Sequence, residues 1–427
     1  MLFKFSIHLL LATITFNGIA TAYWRMSCGL IQTGRIDPVV SPGDISSHAH
    51  KIVGASNINI SSTYDDLIKS ECTSCEVQAD KSAYWTPQLY YEHSNGSFET
   101  VANGGMAVYY LGRDNNETDL QPFPPGFRML SGNMLSRSYD NSTLTYLNGQ
   151  PVANRVSFAC LDYSNPHPEE PYMSITDCPD GLRAQIHFQS CWNGHDLYLS
   201  DNSHVAYLSA IDNGVCPPTH PVKLVHIFYE VLYSMDSVTQ DGGRYVFSNG
   251  DSTGYGFHGD FLNGWDIDTL SAAIDECAFG NPTGVIGQCA PLNVTDDPDE
   301  FSWNCPARHQ IINEPTVGMI SKLPGCITIT SGPEDAMVGD VVCPADTVEP
   351  SMNGSPTTSI TATTTLLPSV NQIVNGWTYV GCADETNPRT LNGATLDSPN
   401  MTTEACQNFC SSKGYQLAGT EFGEECT

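Results

Sequence analysis

Cysteine constrains this chain more than any other residue type. There are sixteen, twelve between Cys28 and Cys343 and four more at Cys382, Cys406, Cys410 and Cys426. They follow a stretch that reads as a secretion signal over residues 1–22. Lys4 gives it a positive start, residues 7–11 open an apolar run, and Ala20-Thr21-Ala22 is a small-x-small cleavage site, so the mature chain is expected to begin at Tyr23. That run is too short to span a bilayer, and no later segment is apolar enough to do so. An even number of cysteines in an exported chain predicts disulfides rather than metal thiolates. Cys72-Thr-Ser-Cys75 has the spacing of a redox pair but no thioredoxin-like context, and each cysteine is expected to bridge elsewhere or to serve structure.

Residues 344–373 divide the chain. They carry eleven Ser or Thr and four Pro and little that could form a core, so they predict an extended, O-glycosylated linker. Before the linker lies a large domain, 23–343, and after it a small one, 374–427. The large domain reads as mainly β. Runs such as 106–111 (MAVYYL), 155–160 (RVSFAC), 184–188 (AQIHF) and 223–233 (KLVHIFYEVLY) are rich in β-branched and aromatic residues, with Gly, Pro, Asn and Asp between them. One helix stands out over 266–277, with an acidic start and Leu270, Ala273 and Ile274 on one face. Many short strands with long loops predict a β-sandwich or jelly-roll-like fold, joined to a small disulfide-rich C-terminal module.

Acidic residues outnumber basic ones 47 to 17, for a net charge of −30. Such a chain repels nucleic acid and anionic lipid, and suits solubility at acidic pH. Sequons at Asn59, Asn95, Asn116, Asn141, Asn293, Asn353 and Asn400 predict a glycoprotein and mark surface positions, Asn353 being the poorest acceptor because Pro356 follows it. Neither HExxH nor the G-x-x-x-x-G-K-[ST] phosphate loop is present, which argues against the common metalloprotease and P-loop nucleotide-using classes.

Several runs of unusual composition lie far apart: SSHAH at 46–50, AYWTPQLY at 83–90, FPPGFRMLSG at 123–132, CWNGHDLYLSDNSHVAY at 191–207, CPPTHPVKLVHIFYE at 216–230 and FSNGDSTGYGFHGDFLNGWD at 247–266. In this order they resemble a fungal secreted family known as domain of unknown function 1996. The resemblance implies a fungal, extracellular, β-rich domain and supplies no activity. The tail is similar to a WSC module, a cysteine-rich wall-carbohydrate binder, through GWTYVGC at 376–382, Arg389-Thr390-Leu391, Met401-Thr402, Cys406, Phe409-Cys410 and residues 415–419 leading to Glu424-Glu425-Cys426. That family's pattern continues past Cys426 to eight cysteines, so the resemblance implies a truncated module with four.

The candidate chemistry lies in these runs. His48 and His50 form an H-x-H pair whose rings would share one face of a strand, a common way to present two metal ligands, and His204, His220 or His258 could complete the set. Alternatively, these histidines bind loop backbone beside a cleft. A copper histidine brace would need His, not Tyr23, as the first mature residue. Glu230, Asp251 and Asp260 are candidate carboxylates for glycoside cleavage, with His258 beside Asp260 as an acid–base partner and His48, His50 and His204 completing the candidate acid–base set. Asp251 and Asp260 could equally cap turns in a Gly-rich loop. Glu230, among apolar neighbours in IFYEVLY, predicts a buried carboxyl on an active-site wall. Trp85, Trp192, Trp265, Trp377 and Tyr379 are candidate sugar platforms, although core packing is the commoner fate of Trp. Arg128 could pair with a cleft carboxylate or bind an acidic sugar. No motif demands a cofactor; a divalent metal is what the histidines would admit. The expected partner is cell-wall polysaccharide, fungal or plant, with no nucleic acid and no membrane span. These features predict a secreted glycoside-cleaving enzyme, hydrolase or lyase, held on its polymer by the tail. The competing expectation is a non-catalytic wall-binding or adhesion protein.

Overall fold

The computed structural model describes residues 23–113, 119–278, 283–292, 294, 305 and 311–337, together with short stretches between 373 and 426. The signal, most of the linker, Trp377's side chain and Tyr379 lie outside the described residues. By its internal contacts the chain forms two units, 1–355 and 356–427.

The first unit is built on one long antiparallel sheet. Its principal strands are β1 (Tyr23–Gly34), β2 (His50–Gly54), β3 (Ala83–Pro87), β4 (Gly105–Leu111), β5 (Arg128–Gly132), β6 (Val156–Cys160), β7 (Leu182–His187), β8 (His226–Ser234) and β9 (His258–Leu262). Their spatial order is β5-β9-β3-β2-β1-β4-β8-β7-β6. The sheet rolls until its two halves meet. Ser131 Oγ at the end of β5 donates to the carbonyl of His187 on β7 at 2.6 Å. A Cβ at Gly259 would lie 3.0 Å from the Phe188 ring and 3.1 Å from Ile186, so glycine there lets β9 close over β7. The fold is thus mainly β with long loops, its sheet nearly closed around an aromatic interior. The runs rich in β-branched and aromatic residues form strands as their composition predicts.

Inside the roll, Trp24 stacks on Tyr110 with ring centroids 5.1 Å apart. Tyr110 accepts from Trp265 Nε1 at 2.7 Å and shares a hydrogen bond with the Tyr84 hydroxyl, which also donates to Asp80. The Tyr84 and Tyr110 hydroxyls and Trp265 Nε1 therefore have partners, as burial requires, whereas Trp24 Nε1 and Trp85 Nε1 have none among the described residues. Helix α1 (Ile267–Cys277) begins where expected. Asp266 caps it by accepting from the Thr269 amide at 2.9 Å, and Leu270, Ala273 and Ile274 are buried. The CxxC cysteines bridge to distant partners, Cys28–Cys75 and Cys72–Cys305.

The second unit holds helix α2 (Thr403–Ser412) and a small antiparallel sheet of Leu396–Asp397, Thr420–Glu421 and Glu425–Cys426. Cys406 bridges Cys426, and Cys410 Sγ lies 3.8 Å from Cys426 Sγ in the same small buried cluster. A module of this size depends on such a staple.

Candidate functional site

Three histidines from two distant motifs meet where strands β2 and β9 begin. His50 opens β2, His48 sits in the loop just before it, and His258 opens β9. β9 pairs with β5, where His258 lies opposite Gly132. Gly132 has φ +93°, and a Cβ on it would fall 2.7 Å from the His258 Cα, so glycine is required for this approach. The ring centroids lie 4.3 Å apart for His48–His50, 5.0 Å for His48–His258 and 5.7 Å for His50–His258. One ring nitrogen from each falls within 4.8 Å of the others.

The remaining hydrogen bonds define which nitrogens are free to act. His50 Nδ1 lies 3.1 Å from the Ile36 carbonyl, and His258 Nδ1 lies 2.9 Å from the Gly256 carbonyl. A carbonyl only accepts, so both Nδ1 atoms carry the proton and both Nε2 atoms of the neutral rings present lone pairs. His48 Nε2 is 3.0 Å from His258 Nε2, and His48 Nδ1 is 3.0 Å from the Ser47 hydroxyl, which can donate or accept. His50 Nε2 is buried with no hydrogen-bond partner among the described residues. Burial holds all three rings neutral: it pushes His258 down to about 4, and with neighbouring charge it lowers His48 and His50 well below the ordinary imidazole range.

His48 borders a cleft of about 880 Å³. Asp37 and Asp201 also line it, along with Arg155, Gln189 and Tyr207. Asp37 accepts from the Val39 and Val40 amides at 3.0 and 2.9 Å, yet burial still pushes it up to about 6. Asp201 is exposed, accepts from the Ser203 amide at 3.0 Å, and is lowered by its hydrogen bonds to Ser203. Asp260, two residues after His258 and so on the same face of β9, is buried with no partner for Oδ2 among the described residues. Burial first, and the charge of Asp37 second, raise it well above the ordinary carboxylate range.

Other predicted residues fall elsewhere. His204 does not join the trio: its Nε2 donates to the Arg128 carbonyl at 2.9 Å and its Nδ1 accepts from the Leu199 amide at 3.3 Å, which satisfies both nitrogens locally. His220 bonds the Ser203 carbonyl at 3.0 Å near the surface. Asp251 organises its loop, accepting from the amides of Thr253, Gly254 and Gly256 at 2.7–3.0 Å, with Arg137 Nε 3.8 Å away. The Arg128 guanidinium lies over the Tyr198 ring at 4.8 Å. Glu230 is not the buried carboxyl its apolar neighbours suggest. Along β8 the residues alternate, so Tyr229 and Val231 face the core while Glu230 faces outward, accepting from the Tyr109 hydroxyl at 2.5 Å with Arg183 Nε at 3.5 Å. Trp85 and Trp265 are fully buried and offer no face to a sugar; Trp192 is partly exposed, its Nε1 donating to the Asp196 carbonyl at 2.6 Å. Asp37 and Asp201 were not legible as site residues. Pro38 after Asp37 and Ser203 after Asp201 signal only turns.

Known proteins agree with the motifs. The family described as Domain of unknown function (DUF1996) matches residues 37–265, more than half of the chain, and the chain belongs to it. A WSC domain follows at 379–427. Over 54 residues the chain is 54% identical to a WSC domain-containing protein of Arthroderma benhamiae, covering 12% of this chain and 6% of that protein. Over 49 residues it is 45% identical to Kremen protein 2 of Mus musculus and of Homo sapiens, covering 11% of each chain. The chain thus spans only a small part of these relatives. No solved structure matches it. No helix among the described residues is long and apolar enough to cross a membrane.

Proposed function

We propose that this is a secreted protein that cleaves glycosidic bonds of cell-wall polysaccharide, as a hydrolase or lyase, with the WSC domain holding it on the polymer. The observation that carries this reading is the pair of carboxyls lining one cleft, Asp37 and Asp201. Glycoside cleavage uses one protonated carboxyl as acid and one ionised carboxylate as base or nucleophile. Here the surroundings separate the two roles: Asp37 is raised by burial and Asp201 is lowered by Ser203. Asp37 is therefore the acid that protonates the departing oxygen, and Asp201 the base. The cleft's amide and hydroxyl groups, such as Gln189 and Tyr207, suit sugar hydroxyls. The WSC domain raises the local concentration of the cleft on the wall without contributing to the chemistry.

The test is release of new chain ends from a panel of purified fungal and plant wall polysaccharides by the full glycosylated protein. Asp37→Asn should lower the rate by about 10²–10⁴-fold while the protein still co-sediments with polymer. Ultraviolet-absorbing unsaturated ends would mark a lyase, and plain reducing ends a hydrolase. Polymer left intact by a protein that nevertheless sediments with it would overturn cleavage in favour of a wall-binding role.

A further inference from the structure

We propose that His48, His50 and His258 form a binding site for one imidazole-seeking divalent metal ion, of the Zn²⁺ or Cu²⁺ class, through their Nε2 atoms. The inference stands apart from the cleavage reading, since it concerns a bound ion and not a broken bond.

The case rests on unanswered lone pairs. The Ile36 and Gly256 carbonyls hold the Nδ1 protons of His50 and His258, which fixes their Nε2 lone pairs. This is the outer-shell arrangement that orients metal-binding histidines. Among the described residues His50 Nε2 then has nothing to accept from, although buried polar atoms nearly always find a partner. His48 supplies the third nitrogen. Without an ion it can take its proton on Nε2 and donate to His258; with an ion it can move that proton to Nδ1 and donate to the Ser47 hydroxyl oxygen. One ring nitrogen of each histidine already lies within 4.8 Å of the others, and His48 Nε2 lies 3.0 Å from His258 Nε2, against about 3.4 Å between ligands of a tetrahedral ion at the usual zinc–nitrogen distance. Small side-chain shifts close that gap.

The donor set also selects the ion. Three neutral nitrogens and no thiolate suit zinc or copper, while magnesium and calcium need oxygen ligands. Three protein ligands leave a fourth position open, the pattern of zinc sites that bind water or substrate. His48 is the member of the trio that borders the cleft, so a water or a sugar oxygen completing the shell would arrive from that side.

The test uses the full glycosylated protein, stripped with a chelator and titrated calorimetrically with Zn²⁺, Cu²⁺, Mg²⁺ and Ca²⁺. One equivalent of Zn²⁺ or Cu²⁺ should bind, with Mg²⁺ and Ca²⁺ silent. His50→Ala should weaken binding at least about a hundredfold. His195→Ala, which removes an exposed histidine, should leave it unchanged. If His50→Ala fails to fold, the wild-type protein decides alone: Co²⁺ should give the intense visible bands of a four- or five-coordinate nitrogen site, quenched by added Zn²⁺. Absence of tight binding, equal affinity in a folded His50→Ala protein, or a pale octahedral Co²⁺ spectrum would each overturn the proposal.

Discussion

His187 and His226 approach to 3.0 Å between Nδ1 and Nε2, the same separation that His48 and His258 show between their Nε2 atoms. Both groups sit in the first unit, and burial lowers the affinity of all these rings for protons. Their hydrogen bonding differs. Ser190 Oγ lies 2.6 Å from His226 Nδ1, so hydroxyl, His226 and His187 form a chain in which each proton meets a lone pair, and the His187 ring stacks on Phe228 at 4.3 Å. The trio instead points two lone pairs and one switchable nitrogen into a single space. Closeness and burial of histidines are therefore poor signs of a metal site; the unanswered lone pair at His50 is the better one.

The largest effect expected from this difference is thermal. Zn²⁺ at a thousand times its dissociation constant should stabilise the first unit by about 4 kcal/mol, because it binds the folded state alone. His258→Gln should abolish that gain in a melting experiment with and without chelator. His226→Gln should lower stability by about 1–3 kcal/mol through the broken hydrogen-bond chain, yet keep the zinc response intact. A zinc response lost in His226→Gln and kept in His258→Gln would reverse the comparison.

Acid should expose the pair next. In the folded protein burial holds His187 at about 4, with Arg113 lowering it further and Asp212 and Glu169 opposing. The unfolded chain takes up a proton near 6.5. Between those values the unfolded state binds more protons, so stability falls as pH drops from 6.5 to 4 and is present in full above 6.5. One group displaced that far accounts for on the order of 3 kcal/mol. His187→Asn should flatten the denaturation midpoint across that window relative to the wild type, both measured without metal. An unchanged slope would mean that His187 titrates normally when folded.

Much of this was legible in the chain before folding. β-branched and aromatic composition located the strands because such side chains fit a pleated, half-buried surface, and Asp266 announced α1 because helix starts need an acceptor. The H-x-H spacing brought His48 and His50 together as expected, although His48 lies in a loop. What sequence left open was the third member. His204 and His258 sit in equally suggestive motifs, and only the pairing of β9 with β5 and β3 brings His258 to the trio. Asp37 acquires its character from burial, a property of the closed fold. Trp265 became core because the rolled sheet needs large aromatics inside, and Trp85, on the face of β3 opposite to Tyr84, is buried in a second cluster with Ile31, Ile52 and Leu262.

Glu230 gives the smallest expected effect and tests the rule of alternation itself. Its neighbours Tyr229 and Val231 are buried, which makes the sequence look like a carboxyl trapped in a core. On a strand those neighbours face the opposite side, so Glu230 shares the outer face with Tyr109 and Arg183. Glu230→Gln keeps an acceptor for the Tyr109 hydroxyl and removes a partly exposed ion pair, a change of no more than about 1 kcal/mol. Zinc affinity and polysaccharide cleavage should both be unaltered, because the substitution touches neither the histidine trio nor the cleft-lining carboxyls. A folded Glu230→Gln protein that bound polymer and no longer cut it would move the catalytic centre to the outer face of β8 and leave the cleft without its assigned chemistry.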